Sequence, residues 1–168
     1  MINLILGDIT KLDFPVDAIV NAANAQLIPG GGVDGAINRA AGPELGKAMA
    51  QIGGTPTGTA VITPAYKLNA EYVIHTVGPV YRDGQQGEEA QLYAAYEAVF
   101  ALAHKYKLHS LAIPVVSAGV YHYPKEEAAR ILYEVASRKE NADFQIDIVV
   151  IRESWLPIFE KLRGQKAE

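Results

Sequence analysis

Short apolar segments alternate with longer helical patterns along this chain, and this alternation is typical of the α/β fold class. Several apolar segments are continuous and rich in Val and Ile, as strands buried on both faces are. The pattern predicts a parallel or mixed sheet covered by helices on both sides, with ligands beyond the carboxyl ends of the strands. The predicted strands are residues 2–6, 18–20, 60–63, 72–76, 110–115 and 146–151.

Helical spacing of apolar residues places helices between these strands. The first two predicted helices are separate because Gly42 and Pro43 interrupt the pattern. A chain of 168 residues with one such pattern is most simply one domain, residues 1–163, followed by a polar tail, residues 164–168. The predicted helices are residues 35–41, 44–51, 89–106, 125–137 and 156–162.

The composition excludes several classes of function. A net charge of −4 without any run of Lys or Arg argues against a surface that coats nucleic acid. The absence of cysteine excludes disulfides, thiol catalysis and zinc–thiolate sites. No basic leader or membrane-length apolar segment is visible, so we expect a cytoplasmic protein without a membrane partner, monomeric by default.

The junction between the second predicted strand and the first helix contains three consecutive glycines, Gly30, Gly31 and Gly32. Glycines there allow the backbone to approach a ligand closely, and the following helix N-terminus favours an anion. Asn24 and Asp34 flank them and are the polar groups expected to face the ligand. The spacing matches neither a Walker A loop nor the dinucleotide-binding fingerprint, so the pattern predicts another kind of anion site. A tight structural loop is the alternative reading.

A second glycine loop, residues 116–124, also leaves a predicted buried strand and opens a helix, with Pro124 near its start. Two such units in one domain can bind a diphosphate from both sides. Tyr121 would then pack against a sugar or a phosphate, although a plain rim aromatic is an equal alternative. Ser117 and His122 lie in this loop without a nucleophile-elbow motif, which argues against a serine hydrolase.

Three further observations bear on chemistry. Asp8 ends the first strand, where it either accepts hydrogen bonds from a ligand amino group or serves as a turn residue. His75 lies within an apolar strand and is predicted to be a buried, hydrogen-bonded structural histidine. No cluster of His, Asp and Glu has metal-ligand spacing, so we expect no metal and no cofactor.

These motifs together resemble the macro domain family, and the resemblance is closest to the MacroD-type ADP-ribosyl hydrolases. The resemblance runs in order from about residue 2 to residue 162, and several of its motifs are long. It rests on residues 7–10 (Gly-Asp-Ile-Thr), 20–24 (Val-Asn-Ala-Ala-Asn), 30–37 (Gly-Gly-Gly-Val-Asp-Gly-Ala-Ile), 39–42 (Arg-Ala-Ala-Gly), 75–79 (His-Thr-Val-Gly-Pro), 119–121 (Gly-Val-Tyr) and 123–124 (Tyr-Pro).

The resemblance implies a three-layer α/β/α fold with a six- or seven-stranded mixed sheet and an ADP-ribose cleft across the strand ends. It implies that Asp8 meets the adenine amino group, that Asn24 holds the distal ribose, and that Asp34 orients or activates a water. Asn24 and Asp34 are thereby the implied catalytic residues. The implied ligand-binding residues are Asp8, Ile9, Ala22, Asn24, Gly30, Gly31, Gly32, Val33, Ser117, Ala118, Gly119, Val120 and Tyr121.

The chain departs from the family pattern at three places. Asn38 stands where relatives often have histidine, and Ala118 and His122 replace a hydroxyl residue and a glycine in the second glycine loop. Ile151 and Arg152 occupy the position where an aromatic and an acidic residue usually follow the last strand.

The resemblance implies hydrolysis of the ester at the distal ribose, releasing ADP-ribose from mono-ADP-ribosylated Asp or Glu or from O-acetyl-ADP-ribose. The partner would be ADP-ribose or an ADP-ribosylated protein. Two alternatives remain open: a non-catalytic ADP-ribose reader, and a phosphatase acting on ADP-ribose 1″-phosphate.

Overall fold

A computed structural model describes the backbone of residues 1–167 and the side chains of residues 1–165. One sheet holds all the strands of that part of the chain: β1 (Ile2–Leu6), β2 (Val16–Ala22), β3 (Ala60–Pro64), β4 (Ala70–Thr76), β5 (Ser110–Ile113) and β6 (Gln145–Val150). Its order is β1-β6-β5-β2-β4-β3, and every pair is parallel except β3 with β4. This is the predicted mixed sheet, with six strands.

Five α-helices cover the sheet: α1 (Gly32–Ala41), α2 (Pro43–Ile52), α3 (Glu88–Lys105), α4 (Lys125–Ala136) and α5 (Leu156–Ala167). Successive strand residues face opposite sides, so the sheet supports two separate cores. On one face, Ile19 and Val73 belong to the core formed with α1 and α2. On the other face, Val20 and Ile74 belong to the core formed with α3, α4 and α5. The predicted three-layer α/β/α fold is therefore confirmed.

Every predicted strand and helix is present, and only their ends differ. Helix α1 begins at Gly32, three residues before the predicted start, so the last of the three glycines opens the helix and the other two precede it. Strand β5 ends at Ile113 instead of residue 115, because Pro114 has no N–H to donate to a neighbouring strand. Helix α5 continues past residue 162 to Ala167 and includes most of the segment predicted as a polar tail; Glu168 lies outside the described residues.

The predicted interruption between the first two helices is confirmed at Gly42. This residue adopts φ 94°, in the region that favours glycine, and Pro43 begins α2 immediately after it. Within the described part of the chain, no helix is long and apolar enough to cross a lipid bilayer.

Because β1, β6, β5, β2 and β4 are mutually parallel, their carboxyl ends meet at one edge of the sheet. That edge carries Asp8 after β1, Ile151 after β6 and the second glycine loop after β5. It also carries the segment from Asn24 to Asp34 after β2. The predicted site residues, which are scattered in sequence from Asp8 to Tyr121, are thus brought to one edge of the sheet.

Candidate ligand-binding and active site

The first glycine loop, residues 30–33, presents unpaired backbone donors at the start of α1. No side chain caps this helix, and its N-cap residue is Gly31. In the described residues, the N–H groups of Gly31, Gly32, Val33 and Asp34 have no hydrogen-bond acceptor. A side chain built on Gly31 or Gly32 would meet no atom within 4 Å. The loop therefore leaves open space in front of a helix N-terminus, which is suited to an anion.

Gly35 explains how this loop is held against the helix. A methyl group at Gly35 would lie 2.5 Å from the carbonyl oxygen of Gly30, so only glycine permits this close approach. Gly32 adopts φ 57°, which also favours glycine. The glycines of this motif thus serve two purposes: some leave space for a ligand, and Gly35 allows the loop to pack on its own helix.

The second glycine loop presents a similar row of donors after β5. Its ends are joined by a hydrogen bond from the Tyr123 N–H to the Ser117 carbonyl at 2.9 Å, and the His122 N–H donates to Gly119 at 3.0 Å. Among residues 1–165, no acceptor pairs with the N–H groups of residues 118–121. Val120 is 83% exposed and nothing lies within 4 Å of a side chain built on Gly119. This loop is therefore also open to an anionic ligand.

Two non-glycine residues of this loop adopt backbone conformations that favour glycine. Ser117 has φ 70° and His122 has φ 63°. At His122 the conformation accounts for the glycine that the family pattern has there, and histidine accepts it at a cost of about 1 kcal/mol. Ser117 is only 6% exposed, and its hydroxyl is turned toward Gly78, where a methyl group would lie 2.1 Å from the Ser117 Oγ. Its backbone, rather than its hydroxyl, faces the open edge.

Asp34 directly follows the first glycine loop, in the first turn of α1, and is 5% exposed. Its Oδ1 accepts hydrogen bonds from Asn21 Nδ2 at 2.8 Å and from Asn38 Nδ2 at 2.9 Å. Its Oδ2 accepts one from the Gly30 N–H at 3.0 Å. Three donors hold the carboxylate in one orientation, and Oδ2 retains a free lone pair for a further donor such as water.

A buried chain of side chains extends from Asp34 into the sheet. Asn21 Nδ2 lies 3.1 Å from Nδ1 of His75, and Nε2 of His75 lies 2.9 Å from Oγ1 of Thr63. Burial lowers the pKa of His75 to about 4, so the imidazole is neutral near pH 7. Its Nδ1 then accepts from Asn21 and its Nε2–H donates to Thr63. The prediction of a buried, hydrogen-bonded His75 is confirmed.

Asn24 is engaged within its own loop. Its Nδ2 donates to the Ile28 carbonyl at 2.7 Å, and its Oδ1 accepts from the Ile28 N–H at 3.1 Å. It still lies beside the carboxylate, since a methyl group on Gly30 would be 3.8 Å from Asn24 Nδ2 and 3.6 Å from Asp34 Oδ2. An amide has two donors and two acceptor sites, so each end of Asn24 keeps capacity for a ligand.

The opposite end of the open edge is formed by Asp8 and Ile151. The Gly7 N–H donates to the Val150 carbonyl at 2.8 Å, which brings these two strand ends together. Asp8 Oδ1 accepts from both the N–H and the hydroxyl of Thr10, and these hydrogen bonds lower the pKa of Asp8. The turn reading of Asp8 is therefore confirmed, and its contact with a ligand amino group through Oδ2 stays a prediction.

The remaining predicted contacts differ in accessibility. Ile9 is buried beneath the edge, and Val33 and Val120 are exposed on it. Ala22, the last residue of β2, is paired with Thr76 of β4 and is half-buried. Ile151, where the family pattern has an aromatic residue, is 73% exposed and offers an aliphatic surface.

Asn21, Gly78 and Thr63 were not predicted as parts of the site, and Asn38 was noted only as a departure from the family pattern. Asn21 and His75 are exact partners in the β2–β4 register, which no local pattern reveals. The signal for Asn38 was available, because it lies four residues after Asp34 and therefore one helical turn away. Asn38 also donates to the Asp34 carbonyl at 3.0 Å, so it orients Asp34 from the position where relatives often have histidine.

The fold and this edge define a three-layer α/β/α domain that carries two backbone donor loops and an oriented carboxylate at the carboxyl ends of its strands. The Macro domain family profile matches residues 20–132. A macro domain-containing protein of Methanosarcina mazei is 51% identical over 130 residues, which cover 77% of this chain and 68% of that protein. The chain belongs to the macro domain family.

Relatives and solved structures indicate what related chains do. A Salmonella gallinarum protein named O-acetyl-ADP-ribose deacetylase is 52% identical over 140 residues, covering 81% of this chain and 77% of that protein. The Oceanobacillus iheyensis macrodomain solved with ADP has a TM-score of 0.90 at 37% identity, over 98% of this chain and 90% of that one. A Trypanosoma brucei macrodomain in complex with ADP-ribose has a TM-score of 0.85 at 39% identity, over 97% of this chain and 69% of that one.

Proposed function

We propose that this chain binds ADP-ribose along the carboxyl edge of its sheet and hydrolyses the ester at the distal ribose. The substrates are mono-ADP-ribosylated Asp or Glu side chains, or O-acetyl-ADP-ribose. The observation that carries the proposal is that Asp34, held by three donors, shares the carboxyl edge of the sheet with two rows of unpaired backbone N–H groups. The names of the relatives support the same ligand and the same reaction class.

In this proposal the ligand lies across the edge from Asp8 to Asn24. Asp8 Oδ2 accepts from the adenine amino group, and the N–H groups of the two glycine loops bind the diphosphate. Asn24 binds a hydroxyl of the distal ribose through the donor and acceptor capacity that Ile28 leaves free. Ile151 supplies an aliphatic contact beside the adenine, because no aromatic residue stands there.

Asp34 supplies the chemistry by orienting a water through Oδ2. The water oxygen attacks the ester, one C–O bond breaks, and the products are ADP-ribose carrying a free hydroxyl and a carboxylic acid. The proton lost by the water passes to Asp34 or to the ligand diphosphate, and the departing oxygen regains a proton. Fixing the water and the ester in one geometry contributes several kcal/mol to lowering the barrier.

The experiment compares Asp34→Ala with the wild type, using release of ADP-ribose from a mono-ADP-ribosylated protein and calorimetric binding of ADP-ribose. We expect turnover to fall by at least about 100-fold while most of the affinity remains, because Asp34 acts on the water. Asp143→Ala is the matched control, since Asp143 is exposed at the opposite edge of the sheet. Unchanged turnover in Asp34→Ala would contradict the assigned role.

A reader function is the second candidate, and the engagement of both ends of the Asn24 amide with Ile28 favours it. In that case the wild type binds ADP-ribose but releases none from a modified protein. Release of inorganic phosphate from ADP-ribose 1″-phosphate would instead indicate the phosphatase. The same protein preparation serves all three assays, so the outcomes are directly comparable.

A further inference from the structure

Glu88 is a buried carboxylate outside the site described above. It lies in the first turn of α3 and is 1% exposed. Its Oε2 accepts from the N–H groups of Arg82, Asp83 and Gly84 at 3.0, 3.2 and 3.0 Å. Its Oε1 accepts from the Gln86 N–H at 2.6 Å. One side chain thus binds four backbone donors of a single loop, residues 82–86.

These hydrogen bonds keep Glu88 charged. Burial by itself raises the pKa of this carboxyl, but the backbone donors, among them Arg82, Gly84 and Gln86, outweigh it and lower the pKa to about 2. The loop follows β4 and contains polar residues and glycines, a composition that also suits a mobile gate. The four bonds indicate a loop held in one conformation.

Tyr81, which directly precedes the loop of residues 82–86, contacts the second glycine loop. The Tyr81 N–H donates to the Tyr121 carbonyl at 2.8 Å, and the rings of Tyr81 and Tyr123 pack edge to face with centroids 4.9 Å apart. Gly84 adopts φ 79° beside the Tyr81 ring, and a methyl group on Gly84 would lie 2.8 Å from the Tyr81 hydroxyl oxygen. The conformation of the Glu88-bound loop therefore determines where Tyr81 lies.

We propose that Glu88 is a positioning residue for anion binding by the second glycine loop. Its carboxylate fixes residues 82–86, these residues fix Tyr81, and Tyr81 holds the Tyr121 carbonyl. With that carbonyl held, the unpaired N–H groups of residues 118–121 stay directed at the open edge. The inference rests on the proposed function, because it assigns these donors to the diphosphate of ADP-ribose.

The test compares Glu88→Gln with the wild type and with Glu89→Gln. Glutamine keeps the shape but replaces one acceptor oxygen with an NH₂ group, so a backbone donor loses its partner. Glu89 is the adjacent residue of the same turn, and its exposed carboxylate pairs only with Arg130 among the described residues. Dissociation constants are measured for ADP-ribose by calorimetry and for adenosine by NMR titration.

We expect Glu88→Gln to weaken ADP-ribose binding about tenfold, equivalent to one misplaced donor, and adenosine binding by less than about twofold. Adenosine has no phosphate, so its affinity depends on the Asp8 end of the site and not on the glycine loops. A general loss of structure would weaken the binding of both ligands together. Equal loss of both ligands, or ADP-ribose affinity equal to that of Glu89→Gln, would overturn the proposal.

Gly84→Ala is the second variant, and it decides the question if Glu88→Gln does not fold. It leaves the Glu88 carboxylate intact and displaces Tyr81, so the same selective loss of ADP-ribose affinity is expected. Amide NMR shifts of residues 118–121 in the unliganded proteins test the positioning role of Glu88 separately from the proposed function. If the wild type does not bind ADP-ribose, the proposed function fails. If the shifts of residues 118–121 respond to neither variant, the positioning role is overturned, whether or not ADP-ribose binds.

Discussion

At the scale of single residues, the carboxylate of Asp34 illustrates how this site is organised. One donor comes from its own helix, one from the strand beneath and one from the preceding loop: Asn38, Asn21 and Gly30. A carboxylate bound from three elements keeps its free lone pair in one direction. The orientation of Asp34 is therefore a property of the packed domain.

The first prediction concerns Asn38, which stands where relatives often have histidine. Asn38→Ala removes one of the three donors to Asp34 and should lower kcat about tenfold, about 1.4 kcal/mol of barrier, with KM changed less than about twofold. The split is expected because Asn38 orients the water-binding carboxylate without contacting the ligand. Steady-state kinetics on O-acetyl-ADP-ribose measures it.

Gln51→Ala provides the control for that experiment, because Gln51 is an exposed residue of the neighbouring helix α2. A rise in KM with kcat unchanged would show that Asn38 acts on ligand binding instead. An unchanged kcat would show that Asn21 and Gly30 suffice to orient the carboxylate.

At the scale of elements, the glycines divide into two kinds that the sequence does not distinguish. Gly78 lies under the second glycine loop, where a methyl group would be 2.1 Å from Ser117 Oγ and 2.6 Å from Val116 Cγ1. Gly119 lies on the open side of the same loop with no atom within 4 Å of an added methyl group. One glycine permits packing, and the other leaves space for a ligand.

The second prediction follows from this contrast. Gly78→Ala should lower the free energy of unfolding by about 2 kcal/mol, because the methyl group displaces the loop. Gly119→Ala should change it by less than about 0.5 kcal/mol but weaken ADP-ribose binding about tenfold, because the methyl group hinders approach to the backbone donors. Urea denaturation and calorimetry on both variants measure the two effects, and each variant serves as the other's control. Equal stabilities would contradict the steric argument.

The elements themselves were largely predictable. Each strand and helix has an apolar segment or period that reveals it locally, several have a flanking Gly or Pro, and all of them are present. Their ends were less predictable: α1 begins three residues earlier than expected, since the last of the three consecutive glycines belongs to its first turn. Helix α5 continues through a polar segment that has no apolar period of its own.

At the scale of the whole molecule, the buried chain from Asp34 through Asn21 and His75 to Thr63 connects the site across β2 and β4 to the edge strand β3. His75 is neutral because burial lowers its pKa from 6.5 to about 4. A histidine that resists protonation when folded but accepts a proton when unfolded links the stability of the domain to pH.

The third prediction is the sign and size of that linkage. Between pH 6.5 and about 4 the unfolded chain binds a proton at His75 that the folded chain does not, so stability is full above pH 6.5 and falls as the pH decreases. The contribution lost is roughly 3 kcal/mol. Chemical denaturation of the wild type and His75→Gln at several pH values measures it, because other groups titrate equally in both. Parallel stability curves for the two proteins would contradict the assignment.

The sequence by itself determined the α/β class, the number and order of the elements, the two glycine loops and the prominence of Asn24 and Asp34. These features are local, since hydrophobic period, glycine content and spacing along the chain are sufficient to reveal them. The tertiary structure decided which side chains orient Asp34, why Gly78 cannot be larger, and that Tyr81 contacts Tyr121 of the second glycine loop. Strand register and the packing of loops bring residues distant in sequence within hydrogen-bonding distance, and no local pattern contains that information.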